Sequence, residues 1–323
     1  MTSHSAIDGF VADEPSQNLL REILETNLVS DVTKKQQLVS AHENEDILSV
    51  TAKLSDHHIS SLPIMDDDGM CIGVMDFSDA VAYLLKMDWS AKGWLRDGTN
   101  IWEDLANVPA STAIDLSKRN PKVEIEPTCS LLEAMSLFKE KKLRRALVVE
   151  KDSGDVVAVL SPSAVVRFIM QRLRGRNDVT MVSSVMELGL GSGSVTCIKK
   201  NQTVLEAMHL MHESYHSVVA VVDAKGGLVG SMSMSDIQTT FEEKKFSSLI
   251  MPCWNYIVEA REKLDMEVFP FFGVSPSDKL QMVVSKLLAT SVHHLYVVDE
   301  RNRPQHVISF SDVCALLFDK ASE

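Results

Sequence analysis

Apolar residues recur along this chain in one register, four times over. Four short runs, SSLPIMD, RRALVVE, SVVAVVD and HHLYVVD, each close on an acidic residue: Asp66, Glu150, Asp223 and Asp299. Nineteen residues before these anchors stand Ile47, Leu131, Val204 and Leu280; sixteen before stand Val50, Ala134, Ala207 and Val283. Twelve before stand Leu54, Phe138, Met211 and Leu287. Offsets of three and four describe the buried stripe of an amphipathic helix. The β-branched runs that follow read as strands.

Beyond each anchor comes a turn at Gly69, Gly154, Gly226 or Asn302, then a second apolar run: CIGVM, VVAVL, LVGSM and HVISF. A polar tetrad and another helix complete the unit. The tetrads are Asp76-Phe77-Ser78-Asp79, Ser161-Pro162-Ser163-Ala164, Ser233-Met234-Ser235-Asp236 and Ser309-Phe310-Ser311-Asp312. Short leading strands are expected at about Gln37–Ser40, Val123–Glu126, Val195–Lys199 and Phe272–Val274. Each unit then reads strand–helix–strand–strand–helix. A unit of ~50 residues covers its own sheet poorly, which predicts that units associate in pairs. The expected class is α/β (α+β), with four repeats in two tandem pairs.

The connections differ from one another. Residues 1–20 are polar and expected to be mobile. Residues 88–120 hold Trp89, Trp94 and Trp102 and read as a helix or wrapping segment, whereas 174–194, with Gly189, Gly191 and Gly193, read as a flexible joint. The net charge of −13, from 32 Lys+Arg against 45 Asp+Glu, argues against nucleic acid as a partner. Five cysteines (Cys71, Cys129, Cys197, Cys253, Cys314) form no CxxC pair, so neither a disulfide framework nor a cysteine zinc site is indicated. No apolar run approaches the ~20 residues that span a bilayer, and no basic-then-apolar leader opens the chain. A cytoplasmic or nuclear setting is expected, with no membrane partner.

Four such units in this order resemble cystathionine-β-synthase (CBS) domains. The arrangement is similar to the gamma regulatory subunit of the AMP-activated protein kinase and its plant and fungal relatives. The resemblance spans roughly residues 30–320 and divides the chain as follows: N-terminus 1–20, repeat one 21–87, linker 88–120, repeat two 121–173, linker 174–194, repeat three 195–245, and a linker helix with repeat four over 246–320. It implies tandem (Bateman) pairs that bind AMP, ADP or ATP, with no catalytic residue, resident cofactor or metal.

A Ser/Thr at a strand-to-helix junction caps a helix whose N-terminus attracts anions. A carboxylate three residues on can accept hydrogen bonds from both vicinal hydroxyls of a ribose. In the resembling family this tetrad binds nucleotide ribose, which carries the role to Ser233 with Asp236 and to Ser309 with Asp312. Asp79 holds the same place in copy one, but Asp76 stands where the family has a hydroxyl and would repel a phosphate. Ala164 removes the acceptor from copy two. Taken singly, each aspartate reads better as a helix-dipole partner worth roughly 0.3–1 kcal/mol; recurrence at one register in three copies reverses that preference and favours the ligand.

Basic pairs stand before the anchors in copies two and four only: Arg144 with Arg145, and His293 with His294. The family gathers a His-Arg pair at these places around the nucleotide phosphates. Arginine grips phosphate bidentately and histidine charges near neutral pH. The run Lys139–Arg145 reads equally as a solvated helix end. Strand alternation sends His293 and His294 to opposite faces, so one of them is expected to reach a ligand.

His212-Glu213-Ser214-Tyr215-His216 fits the zinc motif HExxH, with His209 as a third imidazole. The repeat register ends its helix near Glu213 and breaks the shared face the motif needs. The favoured reading is a non-catalytic, adenine-nucleotide-binding regulatory subunit that senses energy for a partner kinase, assembled with catalytic and scaffold subunits. The alternatives are a stand-alone CBS regulator or scaffold, with a homodimer possible, and remotely a zinc peptidase. Trp89, Trp94, Trp102 and Trp254 are candidate partner anchors, although tryptophans equally pack on their own core.

Overall fold

The computed structural model describes residues 19–34, 36–87, 100–176, 178–191, 194–263, 273–289 and 293–323. Two short helices lead in, α1 (Leu19–Thr26) and α2 (Val29–Thr33). Repeat one follows as β1 (Ala41–His42), α3 (Ile47–Asp56), β2 (Ser61–Met65), β3 (Cys71–Asp76) and α4 (Phe77–Lys86). After α5 (Asn100–Leu105), repeat two comprises β4 (Glu124–Ile125), α6 (Leu131–Glu140), β5 (Ala146–Val149), β6 (Val156–Leu160) and α7 (Pro162–Arg172). The short α8 (Val179–Val182) leads to repeat three: β7 (Cys197–Lys199), α9 (Val204–Glu213), β8 (Val218–Val222), β9 (Leu228–Ser233) and α10 (Gln238–Glu243). Helices α11 (Phe246–Leu249) and α12 (Cys253–Lys263) precede repeat four, which is β10 (Gly273–Val274), α13 (Leu280–Ala289), β11 (His294–Val298), β12 (Pro304–Ser309) and α14 (Phe310–Ser322).

Each repeat builds one three-stranded sheet in which the first strand runs parallel to the second and the last two form an antiparallel hairpin. The parallel step needs a crossover, and the striped helix supplies it. All twelve stripe positions named above are at most 5% exposed. These helices close on a residue in the left-handed region, His58, Lys142 and Tyr215 in the first three copies. The hairpins turn at Gly69, Gly154, Gly226 and Asn302, all with positive φ. That conformation is open to glycine and tolerated by asparagine, which explains the residue types.

Two kinds of contact join the repeats. Within a tandem pair the sheets meet: Cys71 and Val74 pack with Leu147 and Val156, while Val218, Ala220 and Leu228 pack with Tyr296. Across the pairs the helices meet. Repeats one and three share a core through Leu54, Leu84, Met208, Met211 and Phe241; repeats two and four share another through Phe138, Ile169, Leu287 and Leu317. A repeat is therefore covered on its sheet side by its tandem partner and on its helix side by the other pair.

Several sequence expectations shift. The leading strand of repeat one lies at Ala41–His42, just beyond the expected Gln37–Ser40, because Ala41 and His42 pair with Ile64 and Met65. Leu38 packs instead at the junction of the first two sheets. Residues 1–18 lie outside the described chain, but Leu19 and Leu20 are already buried in α1. The joint expected at 174–194 is held down where it is described: Val185 and Met186 donate to the carbonyls of Asp278 and Pro276. At Gly191 (φ +76°) a Cβ would meet Ile308 at 3.1 Å and His306 and Val297 at 3.3 Å, so the backbone lies directly on repeat four. Trp89 and Trp94 fall outside the described residues. Trp102 is 5% exposed and packs edge-on to Phe241 at 5.7 Å, on its own core.

Phe241 also meets Phe77 edge-on at 6.0 Å, so one ring ties repeat three to repeat one. Phe241→Ala is expected to cost about 3–5 kcal/mol, through the cavity and the lost aromatic contacts. Urea unfolding followed by tryptophan fluorescence measures it. A loss below about 1 kcal/mol would mean that the site relaxes and the rings do not hold the pairs together.

Candidate functional site

The four tetrads sit at equivalent strand-to-helix junctions, yet their carboxylates live in different surroundings. Asp312 is exposed; its Oδ2 accepts from Ser309 N and Ser309 Oγ, both at 2.7 Å. Its Oδ1 has no hydrogen bond among the described residues. Asp236 makes the same pair of bonds to Ser233, at 2.6 and 2.7 Å, but its Oδ1 faces the buried guanidinium of Arg261 at 3.7 Å.

Asp79 is fully buried, and both of its oxygens are engaged. Oδ1 accepts from Ser117 N at 2.9 Å and Ser117 Oγ at 2.6 Å, and Oδ2 from Asn120 Nδ2 at 2.6 Å and Asp76 N at 3.0 Å. Burial, and then the Asp76 charge, push the Asp79 carboxyl up to about 7 against these donors. Asp76 moves the other way. Burial, the largest influence, opposes its ionisation, but Arg145, Arg144 and hydrogen bonds from Asn120 and Ser78 together hold the pKa below the ordinary value. Arg145 binds it at 3.0 Å. In repeat two, Ser161 caps α7 through Ala164 N at 3.3 Å and no carboxylate follows.

A cavity of about 630 Å³ opens between repeats three and four. Its lining combines Ser309, Asp312 and Asp319 with apolar Leu188, Leu190, Val195, Val218, Tyr296 and Val307 and with basic His216, His294 and Arg144, the last reaching in from repeat two. Asp319 is paired with Lys139. The volume lies inside the ~300–1,000 Å³ usual for small-molecule sites. His294 Nε2 lies 3.4 Å from Ser217 Oγ, and His216 Nδ1 lies 2.7 Å from Thr196 Oγ1. His293 is not in the cavity lining; its ring stands edge-on to Phe310 at 6.0 Å. Ser233 and Asp236 do not line this cavity either.

The strongest charged neighbour of Arg144 is Asp76, and that carboxylate is already bound to Arg145. Burial, then Arg144, push His294 down to about 3; burial, then Arg119, lower His216. Arg119 is itself pushed down to about 10 by burial and then by Arg144. Arg119 is buried; its Nη2 donates to the Met211 carbonyl, while Nε and Nη1 have no hydrogen-bond partner among the described residues. Neighbouring cations that shift one another toward neutrality leave a place that an anion would stabilise. With His294 so low, its ring is neutral in the open cavity, unlike the charged histidine that sequence suggested.

The HExxH pattern does not assemble. Helix α9 ends at Glu213 and Tyr215 turns to φ +57°, so His212 and His216 do not share a helical face. Among the described residues no group of three or more His, Cys, Asp and Glu side chains could hold a metal ion.

Comparison with known proteins fits this geometry. A family model described as the CBS domain matches residues 29–86, 114–171, 185–243 and 267–319. The chain belongs to the CBS-domain family. Its CBS repeats align with the fungal protein SDS23: 24% identity over 314 residues in Eremothecium gossypii, covering 91% of this chain and 64% of that protein. In Neosartorya fischeri the identity is 28% over 246 residues, covering 71% and 45%. The chain thus spans roughly half to two thirds of the length of these relatives. Among solved structures, a Methanocaldococcus jannaschii protein proposed as an archaeal homologue of γ-AMPK superposes with a TM-score of 0.67 at 14% identity, over 89% of this chain and 99% of that one. A conserved Pyrococcus horikoshii protein gives a TM-score of 0.51 at 15% identity, over 88% and 96%. These likenesses show the four-CBS fold. No helix among the described residues is long and apolar enough to cross a membrane.

Sequence reasoning missed Ser117, Arg119, Asn120 and Arg261. All four lie in or beside connectors, outside the repeat register, and meet their partners 25 to 92 positions away in sequence. The one available signal was the polar string Ser117-Lys118-Arg119-Asn120 just before repeat two.

The buried Asp79 has a definite pH signature. Its folded-state value of about 7 lies above the ordinary 3.8, so between those pH values the folded chain binds more protons than the unfolded one. Stability from this group therefore falls as pH rises from 3.8 to about 7. Asn120→Ala removes a donor and raises the Asp79 value further. It is expected to destabilise by about 1–3 kcal/mol, with a larger deficit at pH 8 than at pH 6. Denaturant melts at the two pH values read this; an equal deficit at both would place the effect elsewhere.

Proposed function

We propose that this protein is a non-catalytic regulator that binds an adenine nucleotide in the cavity between repeats three and four. One observation supports the reading above others: a single cavity is lined by an exposed carboxylate with a spare oxygen, by apolar side chains, and by Arg144, His216 and His294. Asp312, oriented by Ser309, accepts hydrogen bonds from the ribose hydroxyls. The base lies against Leu190, Val218 and Tyr296. Phosphates meet Arg144 and a ring nitrogen of His294, close to His216. Asp236 and Asp79 serve structure, their spare oxygens being taken up by Arg261 and by Ser117 with Asn120. Arg145, bound to Asp76, and His293, beside Phe310, support the phosphate end indirectly.

AMP, ADP and ATP would compete for this one cavity through phosphate count against a fixed set of cations. Binding does regulatory work only if a partner chain distinguishes the ligand states. We read the partner as a protein kinase assembly, on the likeness to the proposed γ-AMPK homologue. The relatives named SDS23 favour a second reading, a CBS regulator acting on a different partner.

Calorimetry with AMP is expected to find one site on the wild-type chain. Asp312→Ala should weaken it by roughly 10- to 150-fold, the equivalent of losing about 1.5–3 kcal/mol of charged hydrogen bonding. Asp236→Asn should leave it nearly unchanged. Undiminished AMP binding in Asp312→Ala would overturn the assignment. Affinity capture from native extract separates the two partner readings, with a co-purifying kinase catalytic chain deciding for the first.

A further inference from the structure

Repeat two has lost its tetrad carboxylate, and a second cavity of about 220 Å³ opens between repeats one and two. It is smaller than the ~300 Å³ at which sites for drug-sized ligands begin, so it suits less than a nucleotide. Its polar lining includes Ser60, Ser61, Ser161, Arg144 and Arg145, and no Asp or Glu lines it. Ser161 is the N-cap of α7, an eleven-residue helix, so the positive end of the helix lies at the cavity wall. Arg145 is 8% exposed and held in place, at 3.0 Å by Asp76 Oδ2 and at 3.4 Å by the Ser60 carbonyl. Arg144 has no hydrogen bond or ion pair among the described residues. It is also the one residue that lines both this cavity and the larger one.

We propose that the small cavity is a second anion site, taking phosphate or a phosphate monoester without any ribose, and that through Arg144 it opposes ligand binding in the large cavity. Repeat one illustrates the logic. There the chain supplies its own anion, since Asp76 holds the N-cap position and binds Arg145. In repeat two the equivalent position is a neutral serine, and the arginine pair has Asp76 as its close counter-ion. Two guanidinium groups, a helix N-terminus and several hydroxyls with no lining carboxylate select a compact oxyanion. Arg144 can grip bidentately in only one cavity at a time, so an anion in the small one withdraws it from the other. The site stands on its own geometry; only the coupling rests on the nucleotide reading.

The test uses the full chain in chloride buffer at fixed ionic strength. Inorganic phosphate and glycerol 2-phosphate are titrated separately by calorimetry, then AMP with and without saturating phosphate. One phosphate is expected per chain. Ser161→Asp, which keeps a good helix cap but places a carboxylate at the cavity, should weaken phosphate at least about ten-fold. Ser161→Ala, which loses the cap and one hydroxyl but adds no charge, should weaken it by less than Ser161→Asp does. Binding of phosphate but not the monoester would identify the free ion as the ligand. Saturating phosphate should weaken AMP at least about five-fold in the wild type and not at all in Ser161→Asp. Phosphate binding untouched by Ser161→Asp would overturn the site. Weakening of AMP that persists in that variant would overturn the coupling, because phosphate would then be entering the large cavity itself. Absence of AMP binding in the wild type, with phosphate binding still sensitive to Ser161→Asp, would overturn the nucleotide reading and the coupling while supporting the site.

Discussion

A three-stranded sheet with two helices presents more apolar surface than so small a unit can cover, and the protein is organised around covering it. Sheet faces close against sheets within a tandem pair, and helix stripes close against helices of the other pair. Phe241, wedged between Phe77 and Trp102, is one visible join. This double coverage brings Arg144 of repeat two to the wall of a cavity built by repeats three and four. The hydrophobic effect thus places the charges, although it has no directional preference of its own.

Once placed, the buried charges must be neutralised, and the protein does so unevenly. Asp79 is satisfied by Ser117 and Asn120, Asp236 faces Arg261, and Asp76 binds Arg145. At these three positions the chain supplies the partner that a ligand would otherwise provide. Asp312 and the cluster of Arg144, His216 and His294 are left with unmet capacity, and they line the same cavity. Of the four equivalent junctions, those of repeats one and three hold carboxylates with internal partners, and that of repeat two lacks the carboxylate. That of repeat four keeps an oxygen with no partner among the described residues. The identity of the tetrads alone does not reveal which is which.

The repeats were legible because they are governed by local rules. Helix stripes at three- and four-residue spacing, left-handed turns at Gly69, Gly154, Gly226 and Asn302, and the end of α9 at Glu213 follow from neighbours in sequence. The leading strands were less legible. A two-residue strand such as Ala41–His42 is defined by its pairing with Ile64 and Met65 rather than by its own composition. Least legible were the partners of the carboxylates. Nothing near Asp79 announces Asn120, 41 positions away, and nothing near Asp236 announces Arg261. The state of His294 was also hidden, because its pKa is set by burial and by a guanidinium from another repeat.

The central claim is that one cavity, and not every tetrad, receives a nucleotide. A crystal structure of the full chain grown with AMP tests it most directly. The account predicts a single nucleotide between repeats three and four, its ribose hydroxyls within hydrogen-bond distance of Asp312 Oδ1 and its phosphate against Arg144 and His294. A nucleotide seated on Asp236 or Asp79, with Arg261 or Ser117 and Asn120 displaced, would contradict it.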